Sequence, residues 1–206
     1  DPKTGAVRGY FGGHDSNGWD YANSPLQTGS TFKIMALAAA LQQGISLDTN
    51  YSSAPYQLPG SDVVTNVGGG CGVCNLREAT KQSLNTSFLR LQADLKNGTQ
   101  DTADMAHALG VAKSLPGIEK TLTEKGKQPF EGIVLGQYQS RPLDMATAMS
   151  TLANQGVWHN PHFVQRVENA AGEVLYEHPE DEGERRVSSN VANNVLEAME
   201  PVAAWS

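Results

Sequence analysis

The sequence predicts an α+β domain, on three observations. Apolar residues recur at helical spacing in several stretches, each bounded by a capping residue, a proline or a glycine. Two short stretches near the C-terminal quarter alternate about a turn, as a hairpin does. No internal repeat argues for a solenoid or a propeller.

The elements follow in chain order. Ile34, Leu37, Ala38 and Leu41 recur at i, i+3, i+4 and i+7, Gly44 supplies a stop, and Ala36 and Ala38 to Ala40 favour helix, so a helix is predicted over Ser30 to Gln43. Asn75-Leu76-Arg77-Glu78 reads as an N-cap with its capping-box glutamate. The apolar series Phe88, Leu91, Leu95 then marks a second helix beyond a junction. Asp101 to Leu109 before Gly110 reads as a short helix. Pro142 to Asn154, with proline in the first turn and Gly156 past the end, reads as another. Phe163 to Glu168 and Glu173 to His178 read as a hairpin around Asn169-Ala170-Ala171-Gly172. Ser189 to Glu200 reads as a helix with Val191, Val195, Leu196 and Met199 on one side.

Composition narrows the function classes. At 206 residues and 39% hydrophobic, the chain can form one domain with a sizeable core. No apolar run long enough to span a bilayer occurs and no signal peptide opens the chain. A net charge of −7 argues against nucleic acid, whose phosphates need clustered Lys and Arg. The acidic run Glu180-Asp181-Glu182-Gly183-Glu184 reads as a solvated loop. The five histidines are scattered, none beside a second ligand at metal spacing, so they receive no role and no metal or cofactor is expected.

Two constellations carry chemistry. In Ser30-Thr31-Phe32-Lys33 a hydroxyl and an ammonium sit three residues apart at a helix N-terminus, on one face. The positive end of the helix dipole favours an oxyanion at Ser30 and disfavours a protonated Lys33. Desolvation lowers the lysine pKa further, and a neutral lysine can take the serine proton. The pair alone is also met by an N-cap serine beside a solvated lysine. The second constellation is Ser83-Leu84-Asn85. The poor helix formers Ser83, Asn85, Thr86 and Ser87 lie where two helices meet, and such a junction can aim Ser83 and Asn85 into one cleft. Ser83 can relay a proton to a leaving amine, and Asn85 offers a donor and an acceptor to a peptide-like substrate.

In this order and context, the two motifs resemble the transpeptidase domain of class A (bifunctional) penicillin-binding proteins of a Gram-positive, actinobacterial lineage, within the β-lactamase/transpeptidase-like superfamily. The resemblance runs along nearly the whole chain. Asp1-Pro2-Lys3-Thr4-Gly5-Ala6-Val7 is similar to the family's first strand and Gly12-Gly13 to its turn. Tyr21-Ala22-Asn23 and Gln27-Thr28-Gly29 through Lys33 resemble the approach to the nucleophile. Gly136-Gln137, Arg141 to Ala146 and Leu152 to Val157 resemble a later segment ending in a helix and a glycine turn. Thr28 departs from the proline that many members carry there.

The resemblance implies an antiparallel sheet flanked by helices and an acyl-transfer mechanism without cofactor. Ser30 is the expected nucleophile, Lys33 its base, Ser83 the proton relay and Asn85 a substrate-binding residue. Expected partners are peptidoglycan stem peptides and β-lactams. The family's third motif, a Lys-Thr/Ser-Gly triplet on the far wall of the cleft, does not follow Asn85. Lys3-Thr4-Gly5 matches by letters but precedes the nucleophile and is read as structural. Residues 1–206 are therefore expected to be a partial domain, inactive alone. A glycosyltransferase domain, a membrane anchor on the extracytoplasmic face and the C-terminal strands, on this polypeptide or a second fragment, would lie outside it. A D,D-carboxypeptidase or serine β-lactamase, and a non-enzymatic β-lactam sensor, are the rival readings. For the β-lactamase, Glu131 is only the nearest glutamate by position.

Cys71 and Cys74 flank Gly72-Val73 after Gly68-Gly69-Gly70. Two ligands are too few for structural zinc. A redox pair stays open because a helix follows at Asn75. In the extracytoplasmic setting a disulfide is preferred over free thiols, its short loop giving little entropic stabilisation but stiffening the approach to Ser83 and Asn85.

Overall fold

The computed structural model describes residues 1–14 and 18–205. Seven α-helices are described: α1 Lys33–Gln42, α2 Leu76–Lys81, α3 Asn85–Ala93, α4 Thr99–Leu109, α5 Pro142–Ala153, α6 Ser189–Met199 and α7 Val202–Trp205. Of two 3-10 helices, Gly29–Phe32 leads into α1 and Glu131–Leu135 lies between α4 and α5.

α1 is the centre of the fold. Its residues from Met35 to Ala40 are at most 3% exposed, and α3, α4 and α6 pack around it. A helix apolar on all sides must be enclosed, and the alanines at 36 and 38 to 40 let neighbouring backbones approach closely. Leu76, Phe88, Leu91, Leu109, Leu152 and Val195 complete this core. Burying each such large side chain stabilises the fold by about 1.5–3 kcal/mol. α6 faces inward through Val191 and Val195, with Leu196 and Met199 half-buried beside them. α5 begins with proline at its first turn, and Asp144 holds the Arg141 guanidinium at 2.6 Å across that turn.

The strands are short and pair two by two. β1 (Leu26–Gln27) pairs with β6 (Gln139–Ser140), and β2 (Asn50–Ser52) with β5 (Val73–Asn75). β3 (Tyr56–Gln57) pairs with β4 (Val63–Val64), β7 (Val157–Trp158) with β10 (Glu184–Arg185), and β8 (Arg166–Glu168) with β9 (Val174–Glu177). All five ribbons are antiparallel.

The α+β class stands, with ribbons where one sheet was expected. The first-strand block does not form a strand: Gly5, at φ +76°, turns the chain so that its N–H bonds back to the Asp1 carbonyl at 2.9 Å, leaving one bridge between Ala6 and His162. Gly12 and Gly13 lie beside Asp20 and Tyr21, the Tyr21 N–H donating to the Gly12 carbonyl at 2.8 Å, and the turn expected at these two glycines is not found there. The hairpin forms between β8 and β9, with a register shift at Val167/Glu168. The helices over Asp101 to Leu109 and Pro142 to Asn154 are found within two residues of their expected ends, as fraying and cap geometry allow.

Candidate active site

The first difference from the sequence reading lies at Ser30. The chain enters α1 through the 3-10 turn Gly29–Phe32, so Ser30 is not in the α-helix and Lys33 is its first residue. Tight turns of this kind are frequent at α-helix starts, and they eclipse side chains at i and i+3. The Ser30 hydroxyl and the Lys33 amine are therefore brought together, Nζ to Oγ at 2.9 Å. Ser30 is exposed while Lys33 is 3% exposed, so the hydroxyl faces solvent with the amine sealed behind it.

The second constellation completes the group. Lys33 Nζ lies 2.9 Å from Ser83 Oγ, 2.6 Å from the Ser83 carbonyl and 2.8 Å from Asn85 Oδ1. Four acceptors converge on a group with three protons, and all four are uncharged. Burial without a counter-charge pushes the Lys33 pKa down to about 8. Phe88, fully buried, forms the apolar floor 6.0 Å below Nζ.

Ser83 reaches this position by an unusual backbone. It closes the turn between α2 and α3 at φ +53°, its N–H bonding to the Thr80 carbonyl at 3.0 Å, and this left-handed conformation aims both its carbonyl and its hydroxyl at Lys33. Asn85 opens α3. Its oxygen accepts from Lys33 at 2.8 Å and its Nδ2 donates to the Thr65 carbonyl at 3.1 Å, so each amide atom keeps one further hydrogen-bonding position.

Further contacts were beyond sequence reasoning. Gly136, at φ +78°, packs on the backbone of Gly29: an added Cβ would sit 2.3 Å from the Gly29 nitrogen and oxygen. Gln27 Nε2 donates to the Gln137 carbonyl at 2.9 Å, and β1 pairs with β6, so the Gly136-Gln137 turn braces the approach to Ser30. Thr65 and Asn66 were also missed. The only signal was Asn66 standing before the glycine run, which is weak.

A search of family models matches residues 1–205 to the penicillin binding protein transpeptidase domain. The chain belongs to the penicillin-binding protein transpeptidase domain family. It is 53% identical to penicillin-binding protein 1A of Mycolicibacterium smegmatis and 50% to that of Mycobacterium tuberculosis, in each case over all of this chain but over 27% and 26% of the relative. The chain thus spans about a quarter of the length of those curated relatives. Among solved structures it superposes on penicillin-binding protein PonA1 of M. tuberculosis with a TM-score of 0.96 at 51% identity, covering 100% of this chain and 54% of that one. The imipenem acyl-enzyme of penicillin-binding protein A from M. tuberculosis superposes at 0.79 with 26% identity, over 91% of this chain and 46% of that one.

The remaining candidates of this transpeptidase-family chain lie apart from Lys33. Cys71 and Cys74 are joined by a disulfide at the entry to β5 and α2. Asn75 caps α2, accepting from the Glu78 N–H at 3.0 Å. The capping box is not completed, because Glu78 turns to Gln82 and Lys81 instead. Glu131 opens the second 3-10 helix, its carbonyl taken by Gln92 at 2.9 Å, and no hydrogen bond joins its carboxylate to Ser30 or Lys33 among the described residues. Lys3-Thr4-Gly5 belongs to the Asp1 turn, where Gly5 abuts the Asn160 carbonyl.

Proposed function

We propose that this chain carries the nucleophile's side of a serine D,D-transpeptidase that crosslinks peptidoglycan stem peptides and is acylated by β-lactams. The observation that carries the reading is the convergence of Ser30, Ser83 and Asn85 on one buried, uncompensated lysine. Neutral Lys33 accepts the Ser30 proton as Oγ attacks the penultimate D-Ala carbonyl carbon. The Ser30 N–H, in the first turn where no intrahelical acceptor exists, donates to the oxyanion. The scissile C–N bond breaks, and the departing D-Ala nitrogen takes the proton from Lys33 through the Ser83 hydroxyl. An amine of a neighbouring stem peptide then attacks the ester carbonyl, the C–Oγ bond breaks, and the proton lost by that amine returns to Ser30 Oγ through Lys33. Asn85 orients Lys33 through its oxygen and the substrate through its free amide proton. A β-lactam follows the same first step, its ring C–N bond opening.

The second oxyanion donor and the far wall are assigned to a Lys-Thr/Ser-Gly strand outside residues 1–206, together with an upstream glycosyltransferase domain and an anchor holding the site on the extracytoplasmic face. Coverage of only 27% of the M. smegmatis relative supports this division. Losing one oxyanion donor typically costs ~10²–10³ in rate, so the 206-residue chain alone is expected to be inactive. The test is the fate of the acyl group. With a D-Ala-D-Ala-terminated peptide and an acceptor amine, the full-length protein should release one D-alanine for each amide formed. Release of D-alanine to water alone would replace this reading with a carboxypeptidase. Rapid, repeated hydrolysis of a β-lactam would replace it with a β-lactamase, and a lasting adduct without any crosslinking, with a sensor.

A further inference from the structure

We infer that Asn66 is a positioning residue for the reaction: it clamps the Thr65 carbonyl against the start of α3, and that carbonyl fixes the Asn85 amide with its oxygen toward Lys33. The inference rests on the function proposed above for Lys33.

The start of α3 needs an outside partner. Leu84 occupies the N-cap position and has no side-chain acceptor. Asn66 supplies one from a loop twenty residues upstream, its Oδ1 accepting the Thr86 N–H at 3.0 Å. That is the bond an N-cap side chain ordinarily makes to the second helical residue. The same side chain donates from Nδ2 to Thr86 Oγ1 and to the Ser53 carbonyl, both at 2.9 Å. Thr86 is fully buried, so the α3 end of the clamp is rigid. The other end is equally held. The Ser53 N–H donates to the carbonyl of Gly72, inside the loop closed by Cys71 and Cys74, and Arg90 reaches back from α3 to the Ser52 and Ala54 carbonyls.

Thr65 is the residue before Asn66, and its carbonyl is what Asn85 Nδ2 meets at 3.1 Å. A side-chain amide can present either its oxygen or its NH₂ to a neighbour, and an NH₂ facing the Lys33 amine would offer donor to donor. A fixed carbonyl on the far side selects one orientation. It engages the NH₂ and turns Oδ1 to Lys33, 2.8 Å away. Asn66 touches neither Ser30 nor Lys33 and acts through Asn85.

The test compares Asn66→Ala and Asn66→Asp with the unsubstituted full-length protein, reading penicillin V acylation by intact mass and the Asn85 side-chain amide by ¹⁵N NMR of the same full-length protein labelled at asparagine. Misplacement by about 1 Å at a distance from the chemistry can cost ~10²-fold, so Asn66→Ala should slow acylation by on the order of 10- to 100-fold and shift the Asn85 amide pair. Asn66→Asp keeps the acceptor for the Thr86 N–H but sets a carboxylate oxygen where Nδ2 donated to the Ser53 carbonyl, so it loses that end of the clamp and should also acylate more slowly than the unsubstituted protein. Acylation of Asn66→Ala within twofold of the unsubstituted rate overturns the inference. So does slow acylation with unmoved Asn85 signals, and so does Asn66→Asp as fast as the unsubstituted protein. If Asn66→Ala does not fold, the unsubstituted chain decides. A through-hydrogen-bond coupling from Asn85 Nδ2 to the Thr65 carbonyl carbon supports the inference, and a freely rotating Asn85 amide overturns it. If the unsubstituted protein is not acylated, the proposed function fails instead, and the Asn85 signals still decide the positioning.

Discussion

The protonation of Lys33 should set the pH profile of acylation. Lys33 falls from an ordinary 10.5 to about 8 because it is desolvated, and its acceptors, the hydroxyls of Ser30 and Ser83, the Ser83 carbonyl and the Asn85 amide oxygen, bring no negative charge. With a pKa of about 8, roughly a hundredth of the molecules hold a neutral amine at pH 6, about a tenth at pH 7 and about half at pH 8. Acylation by penicillin V, followed by stopped-flow or quenched intact mass, should therefore rise about tenfold between pH 6 and pH 7 and level off above pH 9. A profile flat from pH 6 to pH 8, or one still climbing steeply at pH 10, would refute the reasoning. The same shift has a stability consequence. Between pH 8 and pH 10.5 the unfolded chain holds a proton on Lys33 that the folded chain has released, so stability rises with pH across that window. At about 1.36 kcal/mol per unit the full rise is about 3 kcal/mol. Because other groups titrate there too, the quantity to measure is the slope of denaturant stability against pH, less that of Lys33→Met. A positive difference is expected and a zero or negative one contradicts it.

Two further substitutions probe the support beneath Ser30. Gly136→Ala places a methyl within 2.3 Å of the Gly29 backbone at a positive φ, and should both destabilise the fold and displace the nucleophile, whereas Gly44→Ala, at φ +88° with nothing within 4 Å, should destabilise without slowing acylation per folded molecule. The left-handed conformation alone costs about 1–2 kcal/mol, which both variants share. Equal acylation by the two folded variants would remove Gly136 from the support of the site. Thr28→Pro should stabilise by about 0.4–1 kcal/mol. Thr28 sits at φ −86° after a β residue, a shift of about 6° from the proline range, and its hydroxyl is buried with no partner among the described residues. A lower melting temperature for Thr28→Pro would show that the Thr28 hydroxyl or N–H has a use after all.

What was legible in the sequence was local. Ser30 and Lys33 are three residues apart, so their meeting depends only on a helical turn, and either an α or a 3-10 turn delivers it. The stripe Val191, Val195 and its half-buried flank were readable because a helix buries by period. Ser83 and Asn85 could be located by their poor helix propensity, yet the positive φ of Ser83 could not, since nothing in its residue type demands it. Contacts that join distant segments were invisible: Gly136 against Gly29, and Asn66 as an N-cap for a helix whose own N-cap is leucine. The block from Asp1 to Val7 forms no strand because a strand needs a neighbour, and among the described residues it finds a single bridge, to His162.

The most direct test of the account is the site of covalent attack. The full-length protein is exposed to penicillin V and digested with trypsin, and the peptide ending at Lys33 is weighed. One penicilloyl group on that peptide, absent after Ser30→Ala, is the predicted result. A penicilloyl group on any other peptide, or one that persists in Ser30→Ala, would contradict the assignment of Ser30 as the nucleophile.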